Sequence, residues 1–253
     1  MSAVTGAPLR LSSVTLTRLA LIALILAAWE GLARSGLLYR DVVPPLAAIG
    51  AALVKLLADP AFYRNLALTA GEIAAALGIG GAAGLLTGLA LGANPYLARA
   101  YEGLLYYLGP TPKIIFFPVM LMWFGTGAAS KIAMGALSCF FPIAIAVAAA
   151  MRSIDGVYVR VGKSFRLSRA QMARKIYLPA LRAPIVNGAR IGLGVAVIGT
   201  LLAETKLSNQ GLGFLVIQTY TNFDMPRMYA LLIMVFVLAA LLNAGLGALA
   251  KRG

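Results

Sequence analysis

Apolar residues run along this chain in long blocks, and six of the blocks approach or exceed the length of a bilayer crossing: about Leu16–Ala33, Leu66–Ala93, Gly103–Phe124, Ile132–Met151, Pro184–Ala203 and Met228–Ala250. A helix needs about 20 apolar residues to cross the hydrocarbon core. The pattern therefore predicts an all-α polytopic membrane protein with about six transmembrane helices. Residues 16–253 would form one transmembrane domain behind a short polar tail at 1–15. Little chain is left for a soluble domain.

The spacing inside the blocks adds detail. Between the first two, Leu46, Ile49, Leu53, Leu56 and Leu57 recur on one helical face, which predicts a short amphipathic helix lying along the membrane interface. Gly80, Gly84, Gly88 and Gly92 stand four apart, the spacing at which two helix backbones approach closely in lipid. The third block contains Pro110, Pro112 and Pro118. Proline removes a backbone donor and clashes with the preceding turn, so this helix should kink or break. Broken backbone at membrane depth must lie against protein or a water-filled cavity. Lys113 in that break needs a partner or water, unless it sits near an interface and snorkels.

The most polar stretch is 152–182, which is basic and cannot span. Val157, Val161 and Phe165 recur at four and predict a short helix with an apolar edge. Ser168-x-x-Gln171 has the form of a capping box opening a second helix, which Pro179 should end. Two short basic helices would form a knuckle, either held by anionic headgroups or docked on a partner. Within the first lies Gly162-Lys163-Ser164, the tail of a phosphate-loop motif. That motif needs a glycine at 157, where Val157 stands, and a strand before it. No ATP site is expected in this chain.

Composition narrows the classes. The chain is 61% hydrophobic and 12% charged, with a net charge of +14. With the N-terminus inside, Arg10, Arg18, Arg99, the 152–182 cations, Lys251 and Arg252 face the cytoplasm, and a smaller set faces outward. That split follows the positive-inside rule, so the charge reports topology rather than nucleic acid. Histidine is absent and Cys139 is the only cysteine, which excludes the usual structural zinc sites and a thiol–imidazole or Ser–His nucleophile. Trp29-Glu30-Gly31 breaks a signal-peptidase pattern, so the first block is read as an uncleaved helix. The acids fall near block ends or in loops, unlike an ion-coupled secondary transporter with intramembrane carboxylates.

Several stretches resemble the permease subunits of binding-protein-dependent ABC importers. Ile176-Tyr177-Leu178-Pro179 matches the end of their E-A-A-x-x-x-G-(x)9-I-x-L-P signature. In that frame Arg160-Val161-Gly162 replaces E-A-A and Arg166 replaces the glycine. PTPKIIFFPVMLMWFGTGAASK, Phe140-Phe141-Pro142, NGARIGLGVAVIGTLLAE and Gly211-Leu212-Gly213 resemble the nitrate/sulfonate/taurine branch, over about residues 40–240.

The resemblance implies a multi-pass protein of the bacterial cytoplasmic membrane with both termini inside. It implies three partners besides lipid: a dimer of ABC ATPase subunits, a second permease copy or paralogue, and an extracytoplasmic solute-binding protein. No cofactor would bind this chain; ATP and Mg²⁺ would sit on the ATPase. The knuckle would be the coupling helix, using Asp155, Val157, Arg160, Val161, Gly162, Lys163, Ser164, Phe165, Arg166, Leu167 and Ser168. Pro112, Lys113, Phe116 and Glu204 are the candidates for the translocation path, with Arg190 a further cation that could support anion passage. Glu204 is read either as an interfacial carboxylate in water or as an external gate or binding-protein contact. Sulfonate, taurine or nitrate would be the solute, or else a vitamin precursor or heterocycle.

Overall fold

The structure is a computed structural model and describes residues 13–37 and 42–252. Most of the expected tail at 1–15, and Arg40 in the first loop, lie outside them. In chain order the helices are α1 (Ser13–Arg34), α2 (Leu46–Leu57), α3 (Pro60–Ala93), α4 (Pro95–Leu108), α5 (Phe117–Phe124) and α6 (Ala128–Arg152). There follow α7 (Gly156–Ser164), α8 (Arg169–Met172), α9 (Leu178–Leu207), α10 (Leu212–Thr221) and α11 (Met225–Arg252). A 3₁₀ turn at Lys113–Phe116 leads into α5, and a wide π turn at Ala173–Tyr177 joins α8 to α9. Five helices are long and apolar enough to cross a membrane, or six if the bent pair α4/α5 is one span. The all-α polytopic expectation holds.

The centre is a three-helix core of α3, α6 and α9. Small residues make it possible. A Cβ at Gly80, Gly84, Gly88 or Gly92 would run into α6 at Ala136, Phe140, Ala144 or Met151. From the other side, Gly188, Gly192 and Gly199 of α9 lie against Ala146, Ile143 and Ser138. Without such residues the backbones could not approach closely enough to gain dispersion contacts in lipid.

Helix α2 departs from expectation. Its stripe turns inward onto protein. Ile49 and Leu56 are buried, and Leu56 joins Phe62, Leu212, Ala230 and Leu231 in one cluster. The reason is the turn after it: Asp59 accepts from the Ala61 amide and Pro60 opens α3, so α2 folds back onto α11. Its other end is fastened as well. Glu30 accepts from the Leu46 amide at 2.9 Å, and the Trp29 indole donates to Pro44 at 3.1 Å.

Pro179 also behaves differently from expectation. It does not end a helix but stands in the first turn of α9, and helix continues over Ala170–Lys206. The π turn just upstream widens the ladder where proline cannot donate.

Candidate functional site: basic knuckle, helix break and buried polar cluster

Helix α7 is locked at both ends. Asp155 accepts from the Val157 amide at 2.8 Å, the N-cap that its position after Ser153-Ile154 provides. At the far end the Leu167 amide donates to Gly162 O and the Arg166 amide to Lys163 O, a Schellman closure. That closure puts Arg166 at φ 51°, a left-handed conformation in which glycine is free and a Cβ is strained. The capping box follows at once: the Ser168 amide donates to Gln171 Oε1 and the Gln171 amide to Ser168 Oγ. Gly162 is buried, because a Cβ there would strike Met172 and Ile176. The apolar edge, in contrast, is open: Val157 and Val161 are each 47% exposed and Phe165 is 76% exposed. Arg160, Lys163 and Arg166 are exposed around it, and Gly162-Lys163-Ser164 forms the last turn of the helix.

The expected break is real. Helices α4 and α5 meet at 94° around Gly109–Pro112. Breaking a helix strands its last carbonyls, and Lys113 answers this. Its Nζ donates to Leu108 O at 3.1 Å and to Gly109 O, and lies 4.9 Å from the centre of the Phe141 ring. Lys113 thus closes the end of α4. Pro112 and Phe116, its flanking candidates, are exposed. Beside it is a cavity of about 300 Å³ lined by Tyr106, Lys113, Ser138, Phe141, Ile145 and Val195, among others.

At the end of the bundle away from α7 lies a polar cluster that sequence reading missed. Glu204 is 1% exposed and so is not an interfacial carboxylate in water. It accepts from Thr69 Oγ1 at 2.7 Å and from the Gly213 amide at 2.6 Å. Thr69 Oγ1 accepts from the Leu212 amide, and Asn65 Oδ1 from the Gly211 amide. Three successive amides at the start of α10 are thus capped by side chains of α3 and α9. Gly211 has φ 103°, and a Cβ at Gly211 or Gly213 would run into Glu204. One turn along α3 from Thr69, Glu72 pairs with Lys131 of α6 at 3.6 Å, both buried. Glu72 Oε2 and Thr200 Oγ1 have no partner among the described residues.

Residues 80–252 match the family described as binding-protein-dependent transport system inner membrane component. The chain belongs to this family. It is similar to the taurine transport system permease protein TauC of Escherichia coli, with 30% identity over 239 residues, covering 91% of this chain and 86% of that protein. The putative aliphatic sulfonates transport permease protein SsuC of Bacillus subtilis is 26% identical, over 89% of this chain and 82% of its own length. The formylaminopyrimidine transport permease protein ThiX of Halalkalibacterium halodurans is 28% identical, over 77% of each.

The chain is thus a multi-pass permease subunit of an ABC importer, a system that includes an ATPase and a binding protein. The permease keeps Asp155 through Ser168 together as one capped unit, exposed apart from Gly162 and the half-buried Val159 and Leu167. Pro112, Lys113 and Phe116 share the break, whereas Glu204 lies elsewhere, in the cap of α10. Arg190 of α9 rests against Gly247 of α11. Glu72 and Glu204 are both buried inside the protein, Glu204 three residues from the end of α9. Family membership sets an ion-coupled secondary transporter aside. The Glu72–Lys131 pair went unread because Lys131, just ahead of the fourth apolar block, gave no sign that it would be buried.

Proposed function

We propose that this permease forms one half of the solute path of an importer for small organic or inorganic anions, such as a sulfonate, taurine or nitrate. A dimer of separate ATPase subunits, carrying the ATP and Mg²⁺, grips α7; a second copy or a paralogue completes the path, and a binding protein delivers solute. The exposed apolar edge of α7 carries this reading. Val157, Val161 and Phe165 stand open on a helix fixed at both ends and surrounded by cations, the arrangement of an anchor meant for a groove. Large apolar anchors at interface centres contribute about 2 kcal/mol or more on truncation, and the cations around them set orientation and association rate. With α7 on the cytoplasmic side, both termini are cytoplasmic and the α10 cap lies outside.

Relatives named for taurine and sulfonates support the anion class, as does Lys113 in the helix break. The relative named for formylaminopyrimidine supports a second reading, in which a heterocyclic vitamin precursor is the cargo.

The test is Phe165→Ala in the reconstituted importer. Uptake is expected to fall at least tenfold, with loss of ATPase association or of hydrolysis stimulated by loaded binding protein, while the permease accumulates normally. Normal association together with normal stimulated hydrolysis would place the docking site elsewhere.

A further inference from the structure

The cavity beside Lys113 combines three properties. Its first is depth. Ser138 and Phe141 lie near the middle of the 25-residue α6, and Val195 lies in the central part of the 30-residue α9. Lys113, whose ammonium sits over Phe141, is therefore near the mid-plane of the bilayer, well inside the headgroup layer. Its second property is an unbalanced charge: no carboxylate lies within ion-pair distance of Lys113 among the described residues. Third, an ammonium has three donors, and two are taken by Leu108 O and Gly109 O. One donor and the net charge are left beside about 300 Å³ of space.

A cation at mid-depth is costly without a counter-charge, and the buried lysine of this chain, Lys131, has one in Glu72. We propose that the Lys113 cavity is an anion subsite within the membrane. A small solute would place its sulfonate, carboxylate or nitrate group on the free ammonium donor. Its remaining atoms would lie against Tyr106, Phe141, Ile145 and Val195. The broken backbone fits such a role, as interrupted helices near the mid-plane do in many secondary transporters. The small volume and apolar walls favour a compact anion over a nucleotide or a sugar phosphate. This subsite rests on the anion reading of the permease and assigns it a contact point.

The two functions of Lys113, closing α4 and binding an anion, separate by substitution. Lys113→Gln keeps an amide donor, on a side chain one atom shorter, but removes the charge; Lys113→Met removes both; Lys113→Arg keeps both. The whole importer, with its ATPase and binding protein, is reconstituted, and uptake of taurine, an alkanesulfonate and nitrate is measured with saturating binding protein. Whichever anion the wild type carries, K113Q is expected to lower the maximal uptake rate at least tenfold, with unchanged thermal stability and with binding-protein-stimulated hydrolysis intact. K113R is expected to retain most uptake. The K113Q deficit should be the same in vesicles of phosphatidylcholine alone and of phosphatidylcholine with phosphatidylglycerol. Wild-type uptake by K113Q, with loss only in K113M, makes Lys113 a helix cap and overturns the subsite. A deficit seen only with phosphatidylglycerol assigns the ammonium to lipid and also overturns it. If the wild type carries none of the three anions, the anion reading falls and the subsite falls with it.

Discussion

At residue scale, Arg166 is the clearest case of a side chain in a conformation that suits another. The Schellman closure of α7 needs a left-handed residue at 166, and Arg166 occupies it at φ 51°. The signature glycine of related permeases falls at this position, and the backbone gives the reason. Arg166→Gly should relieve about 1 kcal/mol of local strain, partly offset by the greater freedom of glycine in the unfolded chain. The detergent-solubilised protein should melt unchanged to a few degrees higher; a fall would show that the arginine contacts outweigh the strain. Glu204 makes the opposite point. In Glu204→Ala the Gly213 amide and the Thr69 hydroxyl lose a buried acceptor, at about 1–3 kcal/mol for each group left unpaired. Glu204→Gln keeps one acceptor oxygen, so thermal melts should rank wild type above Gln above Ala. A Gln variant no better than Ala would mean that charge, not hydrogen bonding, holds α10.

At the scale of elements, the glycine faces are not equivalent. Gly84→Val would press methyl groups into Phe140 O and Ile143 and force α3 from α6, whereas Gly78 has nothing within 4 Å of an added Cβ. Overpacking a tight contact costs about 1–3 kcal/mol or more. G84V should therefore depress the melting temperature or the yield in membranes, and G78V should not; equal effects would deny the close α3–α6 contact its role. This contact was legible in sequence because its periodicity is local, and so was the break at Pro110 and Pro112. The inward turn of α2 was not, since an apolar stripe fits lipid and protein equally well. Nor was the Glu72–Lys131 pair, whose members are far apart in sequence and become neighbours only when α3 packs on α6. The capping box at Ser168 and Gln171 was readable; the Schellman residue beside it became visible only as a dihedral angle.

At the scale of the whole molecule, one consequence follows from the unbroken helix over Ala170–Lys206. Met172, near its start, sits beneath Gly162 of α7, and Glu204, near its finish, accepts from the Gly213 amide of α10. Those two residues are separated by about 50 Å of rod at 1.5 Å per residue. If α7 is the part the ATPase drives, as proposed, such a rod acts as a crankshaft between it and the α10 cap: the two ends keep a fixed phase. The wide turn at Ala173–Tyr177 sets that phase, because one residue changes it by about 100°. In that arrangement, deleting Arg174 should turn α7 relative to the α10 cap and cut uptake while stimulated hydrolysis persists; unchanged uptake would deny the rod this role.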